Sequence, residues 1–496
     1  MIRQDTITNW QRLPVVIVGI LAGLFWLLAM VHNLNYFFVA AGTSILLVTL
    51  IPIAFSKQYD WFCPWSALIL AVIYGCTLPS ICMSFNLPSA AYVERNAFLD
   101  QPVEYFVKPT LMLLAAMILI GVGYFGFPAK VRRVPISRAI SPERLLIVCA
   151  VCGAISLLSF AAYFVLNGGL GGGLSSKRAT ISTLDVGRDD GFRQYGYLRH
   201  FAKLGNIALL LLTAYWCKFR VNSRSGLAFI QVCILGTLFL VSVAFPFYAS
   251  SRAAMVWVVV GFIGVLYYMQ RSIFNFKTVA AVGAISCLVI FATFVRDAGT
   301  ESHRSVRERV GRMLLDRHGP DIGVTSHIVQ NIPHKLDYKY GKTMAVWLVA
   351  PIPRELMPNK PLIHSGPVIG QKIYGLQVSG VPPGIVAELY WNFHLPGVFF
   401  GSIIFGAFLR FLYQTFQNFV VDPVILAPVY LYAIFPIAFK GATHSVGPAV
   451  VMPLVELTTI CIMVYFVTVR TQIHTSTAMP IQPESMIANR GIRNAG

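Results

Sequence analysis

Charged residues are scarce in this chain. Asp, Glu, Lys and Arg account for 12% of its 496 residues, roughly half of the share that soluble domains carry. Hydrophobic residues account for 56%, and the mean hydropathy is +0.67. This composition excludes an ordinary soluble enzyme, because a water-soluble core cannot bury so much apolar surface. The sequence therefore predicts a polytopic membrane protein.

The polar loops also lack cysteine. All nine cysteines lie inside apolar runs or near their ends: Cys63, Cys76, Cys82, Cys149, Cys152, Cys217, Cys233, Cys287 and Cys461. This placement encodes neither a disulfide framework nor a zinc site. The chain has no convincing Asp-x-Asp or His/Cys ligand set either. We therefore predict a protein that uses no metal and no other cofactor.

Acidic residues are half as numerous as basic ones. Twenty Asp and Glu stand against 39 Lys and Arg, which gives a formal net charge of +19. In a nucleic-acid binder such an excess forms a basic patch, but in a membrane protein it first reflects cytoplasmic loops and then anionic lipid or phosphate chemistry. We expect membrane lipids as partners and no nucleic acid.

Apolar runs of about the length that crosses a bilayer recur twelve times. They lie near 14–31, 36–55, 65–82, 109–127, 145–166, 200–217, 227–247, 253–270, 278–295, 395–415, 424–439 and 448–469. The predicted fold is therefore an all-α polytopic membrane protein, with about 12 transmembrane helices and a large external loop between spans nine and ten.

Basic clusters orient these spans. Lys and Arg concentrate in the loops 128–144 and 218–226. Two predicted spans separate these loops, so that both lie on the same side of the membrane. The positive-inside rule places these loops in the cytoplasm. Both termini are then cytoplasmic, and the segments 167–199 and 297–394 are external.

The chain divides into four parts on this topology. Residues 1–296 hold spans one to nine with an external flap at 167–199, and 297–394 form the large external loop. Residues 395–469 hold spans ten to twelve, and 470–496 form a cytoplasmic tail that we expect to be disordered. No sequence repeat relates the two halves, unlike many transporters. More than half of the basic residues then lie outside, which indicates an anionic external ligand.

Three external segments each allow more than one interpretation. The glycine-rich segment 167–199, which includes Arg178, is either a mobile flap or a flexible linker. Residues 303–318 have apolar positions at helical spacing among four arginines, as in an amphipathic helix on the outer membrane surface or a solvated helix packed on the bundle. Residues 343–352 are apolar but too short to span, which favours a re-entrant or interfacial segment.

Two arginines stand at the outer ends of predicted spans. Arg252 follows two serines at a junction of spans seven and eight that has almost no loop. Its guanidinium either snorkels to lipid headgroups or clamps a phosphate of a lipid substrate. Arg296 ends span nine beside Asp297, with which it equally well forms a local ion pair.

Two further motifs lie in the large external loop. At 351–361, Pro-Ile-Pro-Arg-Glu-Leu-Met-Pro-Asn-Lys-Pro holds Arg354 and Lys360 on a backbone stiffened by four prolines. At 388–397, Glu-Leu-Tyr-Trp-Asn-Phe-His-Leu-Pro-Gly leads into span ten. Glu388 has apolar neighbours, and in a helix it shares one face with Asn392. Such a carboxyl is functional by default in a membrane protein, the alternative being a structural pair with Arg354.

Together these motifs resemble the Wzy-type O-antigen and oligosaccharide repeat-unit polymerases. The likeness consists of Pro-x-Pro-Arg-x-x-x-Pro-x-Lys-Pro, then Glu-x-Tyr-x-Asn-Phe-x-x-x-Gly at the start of a span, Ser-Ser-Arg at 250–252 and one large late external loop. It covers roughly residues 140–410. A glycine commonly follows Asn-Phe in that family, whereas this chain has His394. The related O-antigen ligases tend to have a histidine near the position of Glu388, which favours a polymerase here.

The resemblance implies a glycosyltransferase of the bacterial cell inner membrane. Such an enzyme polymerises undecaprenyl-pyrophosphate-linked oligosaccharide repeat units into O-antigen or exopolysaccharide on the periplasmic side. By resemblance we expect direct displacement with inversion and a chain-length regulator protein as a partner. The alternatives are an O-antigen ligase that transfers glycan to a lipid A core, and a transporter of polysaccharide or lipid-linked oligosaccharide.

Candidate site residues follow from these motifs and from their external positions. Glu388 is the predicted general base, because its apolar neighbourhood disfavours the charged carboxylate, whereas the other external acids adjoin arginines or lie in polar stretches. Arg252 and Arg354 are predicted to hold the pyrophosphate, since guanidinium binds phosphate in a bidentate way. The predicted substrate-binding residues are Lys360, Tyr390, Asn392, Arg296, Arg178, Lys440 and His444.

Overall fold

The computed structural model is helical almost throughout the part of the chain that it describes. The described residues are 5–7, 9–32, 34–85, 101–127, 134–135, 138–166, 169, 196–219, 226–248, 252–269, 283, 322–349, 352, 356–357, 359, 361, 365–375, 381–420 and 422–470. The predicted disordered tail 470–496, except for Arg470, the amphipathic segment 303–318 and most of the flap 167–199 lie outside them.

Fifteen helices follow one another along the described residues. They are α1 (Asn9–His32), α2 (Leu34–Phe55), α3 (Pro64–Val72, extended by a π-helical turn at Ile73–Thr77 and by Leu78–Ser84), α4 (Glu104–Gly126), α5 (Pro142–Leu166), α6 (Gly196–Ala202), α7 (Leu204–Phe219), α8 (Gly226–Tyr248), α9 (Arg252–Met269), α10 (Ile322–Gln330), α11 (Lys342–Ala345, extended by a 3-10 turn at Val346–Val349), α12 (Gly366–Tyr374), α13 (Gly384–Asn418), α14 (Pro423–Val429, extended by a π-helical turn at Tyr430–Ile434 and by Phe435–Thr443) and α15 (Val446–Val467).

Six short strands form three pairs between connections of the bundle. They are β1 (Asp5–Thr6), β2 (Gln58–Tyr59), β3 (Val134–Pro135), β4 (Arg138–Ile140), β5 (Phe419–Val420) and β6 (Thr468–Arg470). β1 pairs with β2 and β4 with β6 in antiparallel register, and β3 pairs with β5 in parallel. These strands are too short to form a core of their own and only tie connecting segments together.

Nine helical segments of the described residues are long and apolar enough to cross a membrane. They are Gln11–Met30, Tyr36–Phe55, Pro64–Cys82, Glu104–Gly126, Pro142–Leu166, Phe229–Tyr248, Gly384–Asn418, Pro423–Thr443 and Val446–Val467. They overlap nine of the predicted apolar runs and confirm an all-helical, multi-pass membrane protein. Two other runs are present as the shorter helices α7 and α9, and the run at 278–295 lies outside the described residues except for Gly283. The count of twelve spans stays a prediction.

α13 begins earlier than the hydropathy of the sequence indicates. The apolar run of span ten starts at 395, whereas the helix starts at Gly384 and contains a kink at Phe393 and His394. His394 has a φ of +58° and a ψ of −151°, which is not helical. The kink therefore divides α13 into a first arm, 384–392, and a membrane-length second arm, 395–418. The predicted span does not include the first arm, because the polar residues of this arm lower its hydropathy. In the structure, these polar residues form hydrogen bonds with residues distant in the sequence.

α14 is the central helix of the bundle. It contacts α3, α7, α9, α13 and α15, and most of its side chains are buried. α1 differs, because it packs mainly on α2 and leaves many apolar side chains exposed. Exposed apolar side chains on a helix of this length are expected where the helix faces lipid.

α4 and α13 pack backbone against backbone. A Cβ atom added at Gly123 would lie 2.1 Å from the carbonyl oxygen of Ile403, and one added at Gly406 would lie 2.1 Å from that of Ile120. Only glycine fits at either position, as at other close crossings of membrane helices. This contact fixes α13 against α4 beneath the first arm.

The bundle has two ends that differ in structure. The strand end is the end at which the three strand pairs lie. Both ends of the described chain reach it, because β1 precedes α1 and pairs next to α2, while β6 follows α15 and pairs next to α5. The Glu388 end is the opposite one, where α13 starts and where α14 turns into α15.

Candidate functional site

Five of the predicted site residues have described side chains, and all five lie at the Glu388 end. They are Glu388, Tyr390, Asn392, Lys440 and His444. Arg252 is the first residue of α9, so that only its backbone is described, and it follows α8 after a gap of three residues. Arg178, Arg296, Arg354 and Lys360 lie outside the described residues. Their predicted roles, including a pair between Arg354 and Glu388, stay predictions.

The carboxylate of Glu388 joins three separate segments. Its side chain is 0% exposed. Oε1 accepts a hydrogen bond of 3.1 Å from the hydroxyl of Thr343, and Oε2 accepts one of 2.6 Å from the backbone N–H of Val446. Glu388 therefore connects α13 to α11 and to the start of α15.

The contact with Val446 caps the start of α15 with a side chain from another helix, α13. Val446 is the first residue of α15, and the preceding residue, Ser445, makes no side-chain hydrogen bond to the helix. The first N–H groups of a helix have no partner within it and carry partial positive charge, so that a carboxylate is favourable there. Glu388 thus supplies from α13 the capping acceptor that α15 lacks in its own sequence.

Asn392 holds the same segment one turn further along α13. Its Nδ2 donates to the Thr343 hydroxyl at 2.7 Å and to the backbone oxygen of Glu388 at 2.8 Å. Its Oδ1 accepts from the backbone N–H of Gly341 at 2.9 Å. The structure thus brings Glu388 and Asn392 onto one face of a helix, as their spacing predicts. Both side chains form a hydrogen bond with the hydroxyl of Thr343.

The segment 337–343 is fixed along the first arm of α13. The indole N–H of Trp391 donates to the backbone oxygen of Asp337 at 2.9 Å, and the N–H of Lys339 donates to that of Trp391 at 3.0 Å. Gly341 has a φ of +83°, and a Cβ there would lie 3.0 Å from the Phe393 ring. The positive φ favours glycine, and the Phe393 ring leaves little room for a side chain.

An aromatic cluster lies beside this segment. The rings of Tyr390 and His394 are 4.8 Å apart, and the ring of Tyr338 lies 5.8 Å from that of His394. The ammonium of Lys108, from α4, lies 5.5 Å from the centre of the Tyr390 ring. Tyr340, which is well exposed, adds a fourth ring next to Tyr338. Aromatic faces and a cation therefore border the first arm of α13, which carries Glu388.

His444 lies in the turn between α14 and α15, beside the start of α13. The backbone oxygen of His444 accepts from the N–H of Gly384, the first residue of α13, at 3.0 Å. Lys440 lies one turn before His444 in α14, where the N–H of His444 donates to its backbone oxygen at 2.9 Å. Three predicted residues, Glu388, Asn392 and His444, thus belong to one polar junction, and Lys440 lies one helical turn away from it.

Sequence analysis missed one partner of this junction, Thr343, and one pair of charged residues elsewhere in the bundle, Lys203 and Glu456. Thr343 belongs to the short apolar segment, and nothing in that segment marks its hydroxyl as the partner of two α13 side chains. Lys203 and Glu456 interact electrostatically with each other, and Lys203 interacts also with Lys440. An ionisable residue inside an apolar run is a signal for function, and this signal would have found both Lys203 and Glu456.

Metal-binding side chains do not converge in the described part of the chain, where no three His, Cys, Asp or Glu residues are grouped. A reaction without metal stays a prediction. Comparison with known proteins adds no relative: no family model, no curated protein and no solved structure matches this chain.

Proposed function

We propose that this protein is a membrane glycosyltransferase that polymerises undecaprenyl-pyrophosphate-linked oligosaccharide repeat units. The observation that carries the proposal is the junction at Glu388, where a buried carboxylate receives a hydroxyl donor on a helical arm that also carries aromatic side chains. The likeness of its motifs to the Wzy-type polymerases supports the same activity. The Glu388 end is then the periplasmic face of the bacterial inner membrane, and the strand end, which both described chain ends reach, is the cytoplasmic face.

The reaction requires two kinds of group from the protein, a base and cations. An acceptor hydroxyl attacks the anomeric carbon of the donor sugar, and the bond from that carbon to the pyrophosphate oxygen breaks. The electron pair of that bond leaves with the lipid pyrophosphate, and the proton of the hydroxyl passes to a base. Cations stabilise the charge that develops on the leaving group. The donor carries its own activation, so no nucleotide is required outside the cell.

Glu388 is the residue that we propose as the base. Its Oε2 is held by a backbone N–H, whereas its Oε1 is held by the hydroxyl of Thr343. A rotation of the Thr343 side chain frees Oε1, and an acceptor hydroxyl can then donate to the same atom from the same direction. In the empty protein, Thr343 thus occupies the place of the acceptor hydroxyl. Tyr390 and Asn392 border this place and orient the sugar.

The test is polymerisation by the purified full chain. Lipid-linked repeat units extracted from a strain that lacks this protein are incubated with the protein in vesicles. Products that grow by whole repeats support the polymerase. A single transfer to a lipid A core supports the ligase instead, and movement of intact substrate across the vesicle without covalent change supports a transporter. Either of the last two results overturns the proposal.

A matched pair of variants connects the activity to the site. Glu388→Gln changes the proposed base, and Glu143→Gln changes an exposed carboxylate at the start of α5, next to the strand end. The proposal expects loss of chain growth for the first variant and wild-type growth for the second. Equal activity of the two variants would remove Glu388 from the mechanism.

A further inference from the structure

The aromatic cluster beside the first arm of α13, which comprises Tyr338, Tyr340, Tyr390 and His394, contains two strained residues. Tyr340 has a φ of +46° and His394 a φ of +58°. Among the described residues, these two are the ones other than glycine whose φ is positive. A bulky side chain rarely adopts this conformation, and strain of this kind collects at functional sites. Both strained residues carry a ring of the same cluster.

The four rings form a row from the interior of the protein to its surface. Tyr390 is 2% exposed, and its ring lies 4.8 Å from that of His394. The ring of Tyr338 lies 5.8 Å from that of His394 and 6.2 Å from that of Tyr340. His394 and Tyr338 are partly buried, whereas Tyr340 is 75% exposed. A side chain this exposed gains little from burial, so that stability does not explain the strain at Tyr340.

The aromatic cluster shares a backbone segment with the Glu388 junction. The N–H of Gly341, which follows Tyr340, donates to Oδ1 of Asn392 at 2.9 Å. Two residues further, the hydroxyl of Thr343 donates to Oε1 of Glu388 at 3.1 Å. The segment 337–343 therefore carries both the outer rings of the cluster and the hydroxyl that contacts Glu388. A ligand held on those rings is positioned by the same segment that holds Thr343.

Aromatic rings beside lysines match the chemistry of a sugar ring. The face of an aromatic ring is electron-rich and attracts the C–H groups that line the faces of a pyranose, while an ammonium can donate hydrogen bonds to its hydroxyls. The ammonium of Lys108 lies 5.5 Å from the centre of the Tyr390 ring, and that of Lys339 lies 5.8 Å from the centre of the Trp391 ring. These two cations disfavour a cationic ligand at the cluster.

We propose that Tyr338, Tyr340 and His394 form a subsite that binds sugar rings of the acceptor glycan. The proposal rests on the proposed function for the reaction that this glycan undergoes, whereas the class of ligand follows from the rings. The reacting sugar places its hydroxyl at Oε1 of Glu388, and the following sugar units stack on the rings of the cluster. The subsite thereby keeps the acceptor in position while the hydroxyl replaces that of Thr343.

The test measures binding of the free repeat-unit oligosaccharide to the full chain in phosphatidylcholine nanodiscs. Mild acid releases this oligosaccharide from the lipid-linked repeat units. Tyr340→Ala is expected to weaken binding about three- to tenfold, as the loss of one aromatic stacking contact does, and Tyr340→Trp, which keeps a ring, retains binding. Tyr465→Ala changes an exposed tyrosine near the end of α15 and is the matched control with unchanged binding. No measurable binding by the wild type, or wild-type affinity in Tyr340→Ala, overturns the subsite.

His394→Gly supplies a readout that a structural role does not reproduce. Glycine adopts the φ and ψ of residue 394 without strain, and the relieved strain exceeds the value of the lost ring contacts. The variant should therefore unfold at a higher temperature than the wild type and yet bind the oligosaccharide several-fold more weakly. His394→Ala loses the ring but keeps the strain, so that it should bind equally weakly without the gain in stability. If His394→Gly unfolds at a lower temperature and binds normally, the ring serves packing and the proposal fails.

A change of lipid separates a sugar subsite from a contact with headgroups, which tyrosines at a membrane surface also make. Unchanged oligosaccharide affinity in nanodiscs that contain phosphatidylglycerol supports the subsite. Loss of binding in those nanodiscs would reassign the rings to lipid headgroups and overturn the proposal. If binding depends on the rings but no polymer forms, the subsite stands and the proposed function fails. If polymer forms while Tyr340→Ala and His394→Gly bind normally, the function stands and the subsite fails.

Discussion

The carboxylates at the two ends of the bundle have different hydrogen-bond partners. At the strand end, the ammonium of Lys218 contacts both carboxylate oxygens of Asp422, at 2.7 and 2.8 Å. Asp60 is buried there and accepts hydrogen bonds from the hydroxyls of Tyr268 and Tyr413, at 2.9 and 2.7 Å. At the Glu388 end, the buried carboxylate of Glu388 receives one hydroxyl, from Thr343, and one backbone N–H, from Val446.

The difference separates charges that hold the fold from charges that are available to a ligand. Asp60 accepts from two tyrosine hydroxyls and one backbone N–H, and Asp422 from Lys218 and one backbone N–H, so that changing either carboxylate should affect the stability of the protein. Oε1 of Glu388 has a single donor, the hydroxyl of Thr343, which can rotate away and be replaced by a hydroxyl of a substrate. Substitutions at the Glu388 end should therefore change turnover, whereas substitutions at the strand end should change the free energy of unfolding.

The largest effect is expected for Glu388→Gln. A general base contributes about 10²–10⁴-fold, so turnover should fall by about that factor while donor affinity is nearly retained. The amide can keep the fold, because its oxygen can accept from Val446 and its NH₂ can donate to Thr343. Turnover and donor affinity are measured on the same purified variant.

Glu388→Leu is the contrast to that substitution. Leucine leaves the Val446 N–H and the Thr343 hydroxyl without their acceptor, at a cost of about 1–3 kcal/mol for each buried group. Gln should thus lose activity at wild-type stability, and Leu should lose both. If Gln loses donor binding but turns over whatever does bind at the wild-type rate, Glu388 positions the substrate and is not the base.

The next effect concerns the two arginines predicted to hold the pyrophosphate. Arg252→Lys and Arg354→Lys should fail almost as badly as the alanine variants, with donor binding roughly tenfold weaker or worse, because ammonium cannot copy a bidentate guanidinium contact. Binding of the lipid-linked donor to folded variants is the measurement. Wild-type polymerisation by both Lys variants would show that the arginines are not a clamp.

Much of the fold follows from the length of the apolar runs. The run 227–247 corresponds to α8, which spans Gly226–Tyr248, and 145–166 corresponds to α5, which spans Pro142–Leu166. A membrane helix satisfies its own backbone, so that its existence depends on local sequence. The first arm of α13 departs from this rule, because its polar side chains are stabilised by partners distant in the sequence.

The candidate site shows the limit of sequence reasoning more clearly. The shared face of Glu388 and Asn392 depends only on helical spacing and was predictable. Thr343 is 45 residues from Glu388, and the other partner of Glu388 is a backbone N–H, for which no side chain gives a signal. The interaction between Lys203 and Glu456 joins residues from opposite halves of the chain. Such pairings depend on how the helices pack, and helix packing is not local.

At the strand end, Asp60→Ala is expected to destabilise the protein by roughly 2–5 kcal/mol, because it leaves buried donors without an acceptor. The donors are two tyrosine hydroxyls and the N–H of Phe62, which lies 2.9 Å from Oδ1. Turnover per folded molecule should stay at the wild-type value. Asp60→Asn keeps an acceptor oxygen and should lose less. A large loss of turnover in Asp60→Ala at unchanged stability would contradict the view that carboxylates at the strand end serve only the fold.

The smallest effect is expected for Lys218→Met, at about 1 kcal/mol or less in the free energy of unfolding. The side chains of the pair are 39% and 22% exposed, and pairs with this access to water contribute little. Asp422→Ala should cost about 0.5–2 kcal/mol, because Asp422 also caps α14 by accepting from the N–H of Val424 at 3.0 Å. Unfolding of the two variants in mixed micelles, measured side by side with the wild type, ranks these effects. If Lys218→Met were the more costly of the two, the ion pair and not the cap would stabilise this connection, and the strand end would depend on charge as strongly as the Glu388 end does.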